Sequence, residues 1–350
     1  MAVTIKDVAK HAGVAVGTVS RVINGRPNVN PALREKVQRV IRELQFRPNA
    51  RAQNLGRNSS PVISFILSNR SVLHPFHARV LHGVEEYCTA AGYFVVFAKF
   101  DYSPDTSADV LPLPRILQSH GIADCVIAAG TNHDNFLSAL ERLGMKYVFL
   151  GNNVMSTEPK PPVNQVQFDD YGGTREATRY LIQLGHKDIY FIGDTSLPWC
   201  QHRYASFVET IREEGLKPHS FTSGLSDDHF MNGLNSISFL MERGHSPTAI
   251  LAGNDDVAYG VWEGLTRHNL KVPDDVSVIG FDDQYGPMRY PQLTSVRVPT
   301  DEVGRELAKM AIQKIKTGAT DIPEVLIRTK LQRRGTCRPS GDRASRAVAP

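Results

Sequence analysis

Five pairs of adjacent aspartates carry the carboxylate density that a metal site or a glycosidase acid–base pair would need: Asp169–Asp170, Asp227–Asp228, Asp255–Asp256, Asp274–Asp275 and Asp282–Asp283. Neighbouring residues on a strand point to opposite faces, so no pair can close on one metal ion. Asp274–Asp275 reads as a turn before a strand. Other chemistries find less support. No G-x-G-x-x-G follows the first apolar run, and no G-x-S-x-G nucleophile elbow occurs. The twelve histidines form no H-x-x-x-H site. Cys88, Cys125, Cys200 and Cys337 lie far apart with no C-x-x-C, which suits reduced thiols in a cytoplasmic protein. An enzyme, a metal and a cofactor are therefore not expected.

Positive charge is the stronger signal. Residues 1–60 hold eleven Lys or Arg against three acids, a balance of +8 in a chain of formal net charge +4. The remaining 290 residues thus sum to −4. A small basic head on a mildly acidic body points to an anionic polymer as the head's partner.

The head reads as helices. "IKDVAKHA" spaces Ile5, Val8, Ala9 and Ala12 on one face, and Gly13 breaks it. "VGTVSRVI" follows from Val16. "NVNPALREKVQRVIRELQF" begins with Asn30 as N-cap and Pro31 at the first helical position, with an apolar stripe of Leu33, Val37, Val40, Ile41 and Leu44. A short fourth helix over Pro48 to Leu55 and a "GRNSSP" linker complete it.

From Pro61 short apolar runs alternate with amphipathic helices. The strand candidates are 62–67, 93–100, 124–130, 147–152, 165–169, 189–194, 249–254 and 276–282. Such alternation implies parallel sheets with helices on both faces, and eight strands suit two doubly wound subdomains. No run of 18 or more apolar residues occurs, so no membrane span is expected, and the charged N-terminus does not read as a secretory signal. "CRPSGDRASRAVAP" at the end is polar and apolar-poor, and is expected to be disordered.

Several of these stretches resemble the lactose-repressor (LacI/GalR) family of bacterial transcription regulators. In the head they are "TIKDVAKHAGV", "GTVSRVING" and "FRPNA"; in the body, "YLIQLGHKDIYFIGD", "RYASFVETIREEGL", "LAGNDDVAYGVWEGL", "VPDDVSVIGFDD" and "PQLTSVRVPTDEVGRELA". The resemblance covers residues 3–335 in consistent order. It implies an α/β protein with an N-terminal helix-turn-helix head and two doubly wound parallel-sheet subdomains of periplasmic-binding-protein-like type. The expected divisions are 1–47 for the head and 48–60 for a hinge helix and linker. The core would span 61–338, with subdomain 1 about 61–162 plus 293–321 and subdomain 2 about 163–292 plus 322–338, leaving a disordered tail at 339–350. A homodimer on a palindromic double-stranded DNA operator, a small effector in the core cleft and a cytoplasmic, nucleoid-associated location are implied. No tetramerising heptad tail is evident.

In a helix-turn-helix the second helix enters the major groove with its N-terminal residues at base edges. Here those are Val16 and Gly17, with Arg21 one turn later. Arg21 can pair bidentately with guanine or hold a phosphate. Val16 offers apolar surface to a thymine methyl. Gly17 either allows close backbone approach or is a tolerated weak helix residue. Thr4, Thr18 and Ser20 suit phosphate contacts; Asn30 is counted on the DNA side as well as a cap; Val8, Val19 and Val22 read as core. The family usually caps the second helix with Ser or Thr where this chain has Ala15, a loss of roughly 0.5–2 kcal/mol. In the hinge, Leu55 matches the leucine that wedges into the operator's central step, with the dimer mate as its other use. Ala50 and Ala52 are small enough for close helix pairing. Gln53 is counted with the hinge contacts, and Arg57 is a candidate phosphate contact.

In open parallel sheets ligands sit beyond the C-terminal strand ends, where Asn254, Asp255 and Asp282 fall. Arg203 matches the family's effector-binding arginine, and Phe76 and His77 match the cleft wall. Arg and carboxylates together suit a sugar. Trp199 can stack on a sugar ring or plug the cleft edge. Asn152 stands where some sugar-binding relatives have Asp. Asp255 and Asp282 have capping or amide binding as an alternative, a role that suits Asp256 and Asp283 better. A soluble sugar-binding protein and a nucleoside or glycoside hydrolase of similar core remain the other classes.

Overall fold

The computed structural model describes residues 3–23, 29–46, 61–119, 121–156, 161–221, 228–285 and 290–340. The chain divides into two compact units, Met1–Ser60 and Pro61–Pro350. The expected hinge helix, with Ala50, Gln53, Leu55 and Arg57, lies outside the described residues.

In the first unit, α1 (Ile5–Ala12) opens on a reciprocal cap. Thr4 Oγ1 accepts from the Asp7 N–H at 3.4 Å, and the Asp7 carboxylate accepts from the Thr4 N–H at 2.8 Å. Gly13 ends it in the left-handed region at φ 61°. α2 (Val16–Ile23) starts without a side-chain acceptor at Ala15, whose carbonyl takes the Thr18 and Val19 N–H groups. α3 (Pro31–Glu43) is capped by Asn30 Oδ1, which accepts from Ala32 N–H at 2.9 Å. Their contact faces bury Val8, Ala9, Ala12, Val19, Val22, Val37 and Val40. Each fully buried Val contributes about 1.5–3 kcal/mol, and Ile5, Ile23, Ile41, Leu44 and Phe46 pack partly buried around this small centre.

The second unit carries two six-stranded sheets. Its strands are β1 (Val62–Ser68), β2 (Phe94–Phe100), β3 (Cys125–Gly130), β4 (Asn132–His133), β5 (Tyr147–Leu150), β6 (Val154–Met155), β7 (Gln165–Phe168), β8 (Ile189–Ile192), β9 (His219–Phe221), β10 (Ala249–Ala252), β11 (Ser277–Asp282), β12 (Thr294–Arg297), β13 (Val325–Ile327) and β14 (Lys330–Gln332). Sheet one runs β13-β7-β5-β3-β1-β2, all parallel; sheet two runs β14-β12-β11-β10-β8-β9, with β14 alone antiparallel. β4 and β6 form a separate pair. The helices are α4 (Pro75–Ala90), α5 (Arg115–Gln118), α6 (Asp134–Arg142), α7 (Asp170–Gln183), α8 (Pro198–Glu213), α9 (His229–Glu242), α10 (Asp255–Arg267) and α11 (Thr300–Thr317). None of them is long and apolar enough to cross a membrane.

Continuous apolar runs become the central strands because helices cover both sheet faces; β3 is buried at every residue. Glycine sets the helix pairings. A Cβ on Gly83 of α4 would run into the Asp301 carbonyl, and one on Gly304 of α11 into the Val80 carbonyl. The same reciprocal contact joins Gly233 of α9 to Gly260 of α10.

Sheet membership corrects the expected subdomain divisions. β7 belongs to sheet one and β12 to sheet two, so the chain changes subdomain near Asp169, Pro299 and Arg328, about six residues later than expected in each case. Short strands following turns were assigned to the wrong side. Thr329 Oγ1 donates to the Asp169 carbonyl at 2.8 Å, tying the first crossing to the third. The tail expectation also changes at its start. The Arg338 guanidinium pairs with Asp274 at 2.7 Å, and Ser340 N–H donates to the Leu184 carbonyl at 2.8 Å, so residues 338–340 are packed.

Candidate functional site

On α2, Val19 and Val22 face the core while Val16, Gly17 and Arg21 are exposed together, with Thr18 and Ser20 half-buried between them. Nothing lies within 4 Å of a Cβ built on Gly17, and Arg21 has no carboxylate within 4 Å among the described residues. This face can approach a groove closely with a free guanidinium at its far end. Lys6, Lys10, Lys36, Arg39 and Arg42 are exposed on the same unit. Two expected contact residues already have partners. The Thr4 hydroxyl donates to Asp7 at 2.7 Å, and Asn30 Oδ1 holds the α3 terminus.

In the second unit the C-terminal ends of both sheets face a cleft of about 290 Å³. Its lining includes seven of the eight expected effector residues: Phe76, His77, Asn152, Trp199, Arg203, Asn254 and Asp282. Arg203 is the centre. Its Nε donates to Asp170 Oδ1 at 2.7 Å, Nη1 to the Gly253 carbonyl at 2.7 Å and Nη2 to Asp282 Oδ1 at 3.1 Å. The guanidinium lies 3.5 Å from the Phe281 ring centre and 4.6 Å from that of Trp199. All three charged groups are buried.

Burial raises the Asp282 carboxyl to about 6, with Arg203 opposing the rise. Burial raises Asp170 as well, against the same guanidinium and the Asn152 amide. Burial works against the Arg203 charge, but Asp170 and Asp282 more than offset it and its pKa rises. Burial holds His77 down to about 3, so it is neutral and a single-donor ring.

The other expected residues divide by what their polar atoms already do. Asn152 donates to the Phe168 carbonyl at 2.8 Å and to Asp170 Oδ2 at 2.7 Å, and accepts from Phe168 N–H at 3.0 Å. It positions Asp170 rather than offering a second ligand anchor. Asn254 caps α10 by accepting from Val257 N–H at 2.9 Å. Trp199 meets the His229 ring edge-on at 5.7 Å.

Asp255 requires a correction: it does not line the cleft. Its carboxylate accepts from Gln284 N–H at 2.9 Å and Ser295 Oγ at 2.5 Å. Asp256, expected to bind amides, instead accepts from Tyr285 Oη at 2.6 Å and pairs with His74 Nε2 at 3.0 Å. The reason is that both open helix α10, where successive side chains diverge by about 100° and not by the half-turn of a strand. His74 precedes α4 on the sheet-one side, so its bond to Asp256 bridges the subdomains.

Residues the sequence reading missed include Asn69, Arg70, His74, Asn153 and His229 on the cleft wall and Asp170 behind Arg203. For Asp170 a signal existed: it follows strand β7 as Asp282 ends β11. His74, His77 and Asn153 each keep one buried polar atom without a protein partner, at Nδ1, Nδ1 and Oδ1. With apolar walls from Phe76, Leu150 and Phe168, the cleft offers a charge-neutralised polar floor and a few unsatisfied donors or acceptors. No group of three metal-ligating side chains occurs among the described residues.

Comparison with known proteins places both units. Residues 4–49 match the model for bacterial regulatory proteins of the lacI family, and residues 178–337 that for a periplasmic binding protein-like domain. Catabolite control protein A of Priestia megaterium is 32% identical over 307 residues, 87% of this chain and 90% of that protein. The HTH-type transcriptional regulator CelR of Thermobifida fusca is 30% identical over 329 residues, 93% and 95% of the two chains. Among solved structures, the lac repressor dimer bound to operator and the anti-inducer ONPF matches with a TM-score of 0.78 at 25% identity, over 97% of this chain and all of that one. A CelR–cellobiose complex matches with a TM-score of 0.68 at 27% identity, over 95% and 99%.

Proposed function

The chain belongs to the lacI family of bacterial regulatory proteins, and from that premise we propose how its parts regulate transcription. It is a DNA-binding regulator and not an enzyme. Its helix-turn-helix head meets double-stranded DNA, and its periplasmic-binding-protein-like body takes a small effector. The finer reading is a cytoplasmic, nucleoid-associated homodimeric repressor that binds a palindromic operator through two heads and two hinge helices. The effector is a neutral sugar.

The neutralised Arg203 floor carries the effector reading. A guanidinium already answered by two carboxylates gains little from an anionic ligand. Its stacked aromatic surround and the unpartnered His74, His77 and Asn153 atoms suit hydroxyls and ring faces instead. The relative solved with cellobiose supports the same class. The dimer reading rests on β2, an edge strand whose Phe94, Val96 and Phe97 are exposed, an apolar edge that free proteins ordinarily cover.

A sugar between the sheets favours one subdomain arrangement. The resulting coupling between cleft and operator is typically about 1–3 kcal/mol. A calorimetric and thermal-shift screen of neutral sugars, alongside operator titrations at rising salt, tests this. Saturable binding of a sugar that changes operator affinity is expected. Turnover of the bound sugar, or DNA binding insensitive to salt, overturns it.

A further inference from the structure

A second pocket of about 250 Å³ opens where the first-subdomain residue Arg79 meets the ends of β11 and β12. Arg79, Arg297 and Arg334 line it together with Tyr259, Tyr285 and two carboxylates, Asp255 and Asp283. The two carboxylates are spoken for. Asp283 is held by Arg297 Nε at 2.7 Å and by Arg334 at 2.7 Å. Asp255 is turned to Ser295 and the Gln284 amide. Burial, reinforced by the neighbouring Asp282, raises the Asp255 pKa well above its usual range. Arg79 donates to the Gln284 carbonyl at 2.6 Å and has no carboxylate within 4 Å among the described residues. Three guanidiniums against two carboxylates leave the lining with a positive excess.

Arg79 is exposed and the Arg297 side chain is 54% exposed, so both keep further N–H groups toward the pocket and the solvent. Guanidinium forks match the paired oxygens of phosphate and carboxylate groups.

The backbone separates the two pockets at the end of β11. Asp282 and Asp283 occupy consecutive positive-φ positions, at 100° and 53°. Asp283 takes the left-handed conformation that Asp adopts readily, and the contacts around Asp282 hold its less usual one. Together they send the Asp282 side chain to the cleft and the Asp283 side chain to the second pocket.

We propose that this pocket is a second ligand site, separate from the effector cleft, for a small doubly charged oxyanion. A phosphate monoester and a dicarboxylate share that chemistry. Bound there, the anion bridges Arg79 of the first subdomain to Arg297 and Arg334 of the second. It therefore favours one subdomain arrangement and modulates the cleft across the Asp282–Asp283 junction.

The test uses the full chain, titrated calorimetrically with methyl phosphate, inorganic phosphate and malonate at constant ionic strength, with chloride as reference. One saturable site is expected. Arg79→Gln and Arg297→Gln should each weaken it about tenfold, the loss of one charge-assisted contact. Arg21→Gln in the basic head should leave it unmoved. Tighter methyl phosphate identifies a phosphate ester, and tighter malonate a dicarboxylate; both support the site. Binding that chloride reproduces, that survives both pocket variants, that disappears with Arg21→Gln, or that is absent for all three probes overturns it.

Discussion

Asp170 and Arg203 meet at 2.7 Å although 33 residues separate them, one opening helix α7 and the other on the next helix, α8. The bond lies where the chain enters the second subdomain, behind the cleft wall. Removing Arg203 alone, as Arg203→Met, leaves Asp170 and Asp282 buried without their cation. A loss of about 3–5 kcal/mol in body stability is expected. Adding Asp170→Asn and Asp282→Asn should recover most of it, and chemical denaturation of the single and triple variants decides. A single variant of unchanged stability would mean that the three groups are not the buried cluster seen here.

The Asp282 carboxyl gives stability a pH signature. Its folded pKa, about 6, lies above the unfolded value, so the native state holds its proton more tightly. This contribution is complete below about pH 4 and is lost as pH rises through 6. The span is up to roughly 3 kcal/mol. Melting temperatures of wild type and Asp282→Asn across pH 4–7 should therefore diverge, with the variant gaining relative stability as pH rises. A difference that stays constant with pH removes Asp282 from the account.

Base reading and wedging separate by competitor DNA. Arg21→Gln should cost about 1–3 kcal/mol of specific operator affinity and relax preference at one base pair. Leu55→Ala should weaken specific binding far more than non-specific binding, because unstacking a step matters only where the site is kinked. Equal losses on operator and random duplex count against both roles.

The bare start of α2 offers a gain of function. Ala15→Ser supplies the missing acceptor for an N–H in the first turn, worth about 1 kcal/mol to a head whose fully buried centre is small. The head's unfolding transition should move to higher temperature. An unmoved transition would show that this terminus is not the weak point.

What the sequence made legible follows from the length of each signal. The apolar runs that became β1, β2, β3, β5, β8, β10 and β11 were bounded to within about two residues because buried parallel strands read as unbroken hydrophobicity. β9, β12, β13 and β14, at three or four residues, are too short to carry a period, and two crossings go with them; β7 is legible as a strand at 165–169, but nothing in its run says which sheet it joins. Strand-end logic located Asn254 and Asp282 at the cleft but also drew in Asp255, since one residue past a strand can already be the first turn of a helix. Asp170 is hidden for another reason: as one of five doublets it carries no sign of its long-range partner, and Arg203 lies 33 residues away.

The three passages of the chain between the sheets set the mechanics of the whole body. Two of them, at Asp169 and Thr329, are stitched together by a hydrogen bond, and β7 and β13, and likewise β12 and β14, run side by side into them. Two bodies joined by a single tether could tumble freely; joined by neighbouring tethers they retain little beyond swinging about the line the tethers define. A ligand at the mouth then has few orientations to freeze out, so more of its contact energy goes into moving the subdomains along that one coordinate. The protein behaves as a door on fixed pins, and small free energies at the opening edge suffice to set its angle.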